Sequence, residues 1–137
     1  MNLIDEIKAR LSKYPDIRYE SNASSIKVSP LSDDGFEVLL TVNREGYTVF
    51  FSGWHEEFDD QDDALNCFAF GLSDECRLKE YRRGRFPYKW TVESRENGKW
   101  IGDSTTGLLL FPFWKKVEVR YLQNKLIKST VDLPNRV

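Results

Sequence analysis

Hydrophobic positions along the chain switch between two periods, and each switch marks an element. Leu3, Ile4, Ile7 and Leu11 recur at three- and four-residue spacing, the stripe of an amphipathic helix. Asn2 is placed to cap it, and Asp5 and Glu6 occupy the first turn, where anions suit the helix dipole. Lys8, Arg10 and Lys13 follow towards the end, and Pro15 closes it. After the polar stretch 20–25, residues 26–31, 36–42 and 47–54 are rich in Val, Ile, Leu, Phe, Tyr and Thr. Asp33-Asp34-Gly35 and Asn43-Arg44-Glu45-Gly46 separate them, and such short Gly-containing connections predict an antiparallel meander. Ala64, Leu65, Phe68, Ala69 and Leu72 then return to helical spacing, with Gly71 read as the helix end.

Strand patterning resumes at 77–83 and 88–96, where Tyr88, Trp90, Val92 and Ser94 alternate with Lys89, Thr91, Glu93 and Arg95. Asn97-Gly98 is a strong hairpin signal joining this strand to Lys99-Trp100-Ile101. Residues 116–122 alternate again, and Gln123-Asn124-Lys125 is read as a turn into Leu126-Ile127. The predicted order is α-β-β-β-α-β-β-β(-β). It describes a single α+β domain over residues 1–137, built on a mainly antiparallel meander sheet of about six to eight strands with two helices on one face. As an arrangement of elements, this order resembles that of type III secretion chaperones.

The 137 residues include nineteen aromatics, enough apolar material for one core, and 40% hydrophobic against 31% charged residues argues against disorder. No apolar run approaches a membrane span, and charges at Asp5, Glu6, Lys8 and Arg10 interrupt anything like a signal peptide. With two cysteines besides, the expectation is a cytoplasmic protein without disulfides or membrane association.

Charge changes the picture more. Residues 1–76 carry sixteen Asp/Glu against six Lys/Arg, and residues 77–137 carry fourteen Lys/Arg against six Asp/Glu, so the net charge of −2 conceals two opposed blocks. The acidic centre, residues 56–63, predicts a helix start capped by Asp59 or Asp60, with Asp62 and Asp63 in the first turn or facing a partner. Calcium loops need a glycine at the bend, which this cluster lacks. The basic centre interleaves Arg77, Lys79, Arg82, Arg83, Arg85 and Lys89 with Tyr81, Phe86, Tyr88 and Trp90, the materials of a single-strand binder. The net charge opposes a polyanion, so nucleic acid is not an expected partner, and strand-edge cations that deter edge pairing are the simpler reading.

His55, the only histidine, sits beside Glu56 and Glu57 in what reads as a loop, and these three are the acid–base candidates. Cys67 reads as core and Cys76 as partly exposed. One histidine and two cysteines nine residues apart cannot supply a zinc tetrad, so neither metal nor cofactor is expected. Gly102-Asp103-Ser104-Thr105-Thr106-Gly107 begins like a lipase nucleophile block, but no histidine follows it and no nucleophile elbow is present, so it reads as a turn or a phosphate-friendly hydroxyl loop. Leu108-Leu109-Leu110-Phe111-Pro112-Phe113-Trp114 reads as a buried crossing segment or, alternatively, as an exposed patch for a partner or a second copy of the chain.

Two functions follow. The first is a non-catalytic protein-interaction module of inhibitor, immunity or chaperone type, using Asp60, Asp62 and Asp63 or Phe111, Phe113 and Trp114 against another protein or a second copy. The alternative is a small-ligand protein or unfamiliar enzyme with a pocket between sheet and second helix. There Trp54, Tyr81, Trp90 and Trp100 would form walls, and His55, Glu56 and Glu57 would do acid–base work.

Overall fold

The structure, a computed structural model, describes residues 2–110 and 112–127. Its elements are α1 (Leu3–Leu11), β1 (Arg18–Ser21), β2 (Ser25–Ser29), β3 (Val38–Asn43), β4 (Gly46–Phe51), β5 (Trp54–Phe58), α2 (Gln61–Leu72), β6 (Cys76–Arg83), β7 (Phe86–Glu96), β8 (Lys99–Gly107) and β9 (Val117–Leu122). The class is α+β with antiparallel strand pairing, as the pattern predicts. The strands number nine among the described residues and form two sheets, β1-β2-β3-β4-β5 and β8-β7-β6-β9. Five strands rather than three separate the helices, a departure from the chaperone-like order.

Both helix starts follow the chemistry of their sequences. Asn2 accepts the Asp5 N–H at 2.8 Å, and Leu3, Ile4, Ile7 and Leu11 are all buried. Asp60 accepts the Asp63 N–H at 3.2 Å and satisfies one of the orphan donors of α2. Asp60→Ala is expected to cost about 1 kcal/mol, read as a lower urea midpoint with an unchanged slope. Gly71 is the penultimate residue of α2, at the helix end that its sequence position suggests, but its role there is steric. It lies inside α2, where a Cβ would overlap the Phe51 ring, so glycine is required there by close approach to the sheet.

α2 covers β3, β4 and β5, α1 lies against α2, and β5 also contacts β7 and β8 of the second sheet. The core runs through both sheets: Ile26, Val28, Val38, Leu40, Val49 and Phe51 from the first join Leu78, Trp90, Val92 and Leu122 from the second. Strand alternation explains Cys76, expected to be partly exposed but fully buried: it shares the inner face of β6 with Leu78 and Glu80, while Arg77 and Lys79 point away. Among the described residues no strand follows β9; Ile127 makes a single bridge to Ser73, and side chains stitch the segment down. Asn124 accepts the Phe36 N–H at 2.8 Å and donates to the Gly71 carbonyl at 2.9 Å, and the Gln123 side chain donates to the Asp74 carbonyl at 2.9 Å.

Candidate functional site

Three surfaces carry the residues singled out by sequence. The first is a cleft of about 480 Å³ between β5, α2 and the β7–β8 hairpin. Phe51, Trp54, Phe70 and Val92 make its apolar lining, and Glu56, Asp63, Glu96 and Asp103 contribute carboxylates from four different elements. Cys67 opens onto it, and burial, then the charge of Glu56, pushes its pKa well above the usual thiol range. The thiol is therefore protonated at neutral pH and a poor nucleophile. Among the described residues, no group of three or more His, Cys, Asp or Glu side chains is placed to hold a metal ion.

The pocket expected from sequence is assembled only in part. His55, Glu56 and Glu57 lie on strand β5, not in a loop, and alternation turns neighbours to opposite faces. Trp54 and Glu56 face the cleft, while His55 is exposed, its ring 5.7 Å from that of Phe50. The acid–base trio is thus split by its own backbone. Of the expected walls, only Trp54 lines this cleft. Its indole N–H donates to the Ser104 hydroxyl at 3.2 Å, which places the Gly-Asp-Ser stretch in β8 rather than in a turn. Trp90 is buried on the inner face of β7, where it occupies the space beside Gly53 and donates its indole N–H to Glu80 at 3.0 Å.

Tyr81 and Trp100 belong to a second surface, the outer face of the four-stranded sheet. There the Arg77 guanidinium carbon lies 4.5 Å from the Trp100 ring centre and 4.2 Å from that of Tyr121. The ammonium groups of Lys79 and Lys89 lie 5.0 and 4.2 Å from the centre of the Tyr81 ring, and Arg95 sits 5.7 Å from Trp100. Glu93 pairs with Arg77 at 2.7 Å. The basic and aromatic residues of the sequence thus divide largely by strand parity: Trp90 turns inward and Tyr81 outward, while Tyr88, beside the bulge at Tyr81/Arg82, is buried with its ring 6.5 Å from that of Tyr81.

The third surface is the connection between β8 and β9. The expected buried crossing is overturned, because Leu109 is 97% exposed, Leu110 86%, Phe113 70% and Trp114 72%. Phe111 lies outside the described residues. The backbone of the segment is nonetheless held: Arg83 donates to the carbonyls of Phe113 and Lys115 at 3.3 and 3.2 Å, and the Gly84 N–H donates to the Lys116 carbonyl at 3.2 Å. The Phe113 and Trp114 rings meet edge to face at 5.3 Å.

Comparison with protein-family models, curated proteins and solved structures returns no match.

The acidic centre has a local role at Asp60, while Asp62 and Asp63 are exposed in the first turn of α2. Among the described residues, none of the carboxylates between 56 and 63 forms an ion pair, and Arg77 and Arg82 pair with Glu93 and Glu80 of their own sheet. The sequence reading passed over Tyr121, although Val117, Val119 and Tyr121 alternate with Glu118, Arg120 and Leu122. Parity puts Tyr121 on one face of β9, and only the pairing of β9 with β6 brings its ring beside Arg77.

Proposed function

We propose that the chain is a non-catalytic protein-interaction module that docks through the β8–β9 connection. The observation that carries this reading is the exposure of four large apolar side chains, Leu109, Leu110, Phe113 and Trp114, within six residues. Soluble proteins seldom leave such a contiguous apolar patch uncovered unless it meets a partner. The hydrogen bonds from Arg83 and Gly84 to the carbonyls of Phe113, Lys115 and Lys116 hold the end of the connection that carries Phe113 and Trp114, which lowers the ordering cost of binding there. Trp and Phe are also residue types enriched at interfaces. Inhibitor, immunity and chaperone proteins are the classes that this reading covers. The small-ligand alternative draws on the cleft but loses its acid–base set, since His55 and Glu57 do not line it.

A photo-crosslinking group in place of Phe113 tests the reading. The expected result is a discrete adduct, with another protein or a second copy, that is lost when Leu109→Ser, Leu110→Ser and Trp114→Ser are combined. Far-UV circular dichroism should not change, because these side chains contribute little to the core. Absence of any adduct, with a monomer at every concentration in sedimentation, overturns it.

A further inference from the structure

We propose that the outer face of the four-stranded sheet binds single-stranded nucleic acid. The face carries Arg77, Lys79, Lys89 and Arg95 on its two central strands, with Tyr81 beside them and Trp100 and Tyr121 on the two edge strands. The net charge of −2 argued against a polyanion, but it does not describe this surface. The acidic centre lies elsewhere, on β5 and the start of α2. On the outer face Glu93 balances Arg77, and Arg95 reaches Asp74 at 3.6 Å. Among the described residues, neither Lys79 nor Lys89 has a carboxylate within ion-pair distance, and tyrosine rings are their neighbours instead. The local excess is therefore positive and accessible to phosphate.

Aromatic rings separate nucleic acid from an acidic protein as the occupant. A carboxylate chain without rings of its own, such as polyglutamate, uses only the cations, whereas unpaired bases stack on rings and on guanidinium planes. The Arg77 guanidinium, in contact with the Trp100 and Tyr121 rings, completes a cation-and-ring platform spanning β8 to β9. The lysines over Tyr81 do not block it. A cation–π contact at an exposed site is weaker than stacking of a base on the same ring, so an arriving base displaces the ammonium towards a phosphate. A duplex keeps its bases stacked inside and offers this flat face only its backbone. The chemistry thus favours single strands.

The test is fluorescence anisotropy of the full chain with labelled 20-nucleotide oligo-dT and oligo-U, against a 20-base-pair duplex and polyglutamate. The single strands are expected to bind at least tenfold more tightly than either comparator at low salt. For three or four phosphate contacts, the slope of log K against log salt should be about −2 to −3. Tyr121→Ala should weaken binding by about tenfold. Tyr121 is 49% exposed on an edge strand, so the variant should fold, and a thermal melt checks this. Lys79→Gln with Lys89→Gln should reduce the magnitude of the slope by about 1.4. No binding at 50 mM salt, equal binding of polyglutamate or duplex, or wild-type affinity in a folded Tyr121→Ala variant each overturns the proposal. Equal binding of polyglutamate would mark an acidic protein as the natural occupant.

Discussion

Phe51→Ala is expected to lower stability by about 3–5 kcal/mol, the range for removing a fully buried aromatic ring. Phe51 has no exposed surface, and its ring stacks on Trp54 at 4.7 Å between centres and lies 5.5 Å from Phe36. It also fills the space that a side chain on Gly71 would need. One ring therefore joins the first sheet to α2 and lines part of the cleft. Its removal leaves a cavity whose walls belong to separate elements, and these cannot all close in at once. Urea unfolding with slopes of about 1–3 kcal/mol/M should show the midpoint falling by one molar or more. A loss below about 1 kcal/mol would show that the cluster collapses around the gap and that this ring is not the join between sheet and helix.

The second large effect is expected at Glu80. This carboxylate is buried on the inner face of β6, where it accepts the Trp90 indole N–H at 3.0 Å and the Arg82 Nε–H at 2.7 Å. Glu80→Ala strands both donors. Loss of one member of a buried ion pair costs about 3–5 kcal/mol. The Arg82 side chain keeps 32% of its surface and can turn to water, so about 2–3 kcal/mol is the appropriate expectation here. Thermal unfolding should show the midpoint falling by roughly 6–12 °C. Glu80→Gln retains an acceptor for one of the two donors and should lose about half as much. Equal losses for the two variants would mean that charge, rather than the hydrogen bonds, holds Trp90 and Arg82.

Where apolar periodicity was strong, the sequence alone was enough. The stripe of α1, a cap at Asp59 or Asp60, the alternation of β7 and the Asn97-Gly98 hairpin are each local matters of spacing and turn chemistry. β1 escaped notice because all four of its residues are exposed, which leaves no alternation to read. β5 was hidden by Glu56 and Glu57, whose charge resembled the approach to a helix. Its pairing with β4 depends on a two-residue turn at Ser52-Gly53, with Ser52 at φ 54°. β8 runs to Gly107 through glycine, serine and threonine that look like turn residues, and its register against β7 holds them extended.

The candidate sites were harder to read because they depend on which strands become neighbours. Trp100, Arg77 and Tyr121 come from three strands, and nothing local to any of them announces the others. The exposure of Leu109 and Leu110 is the clearest case. Apolar composition speaks for burial, and the bonds from Arg83 and Gly84 that hold residues 113–116 at the surface come from a different hairpin.

Asn124 has a consequence for the order in which the chain is made. Its side chain joins the Phe36 amide and the Gly71 carbonyl, partners 88 and 53 residues earlier. Each strand of the first sheet pairs with its neighbour in sequence, so that sheet can zip as it leaves the ribosome. At about 5–20 residues per second, residue 124 emerges several seconds after the groups it will satisfy. In that interval the amide of Phe36 and the carbonyl of Gly71 rely on water, and the seam between the nascent sheet and α2 stays unlatched. A residue made 53 and 88 positions after its two partners thus closes the seam between the first sheet and α2.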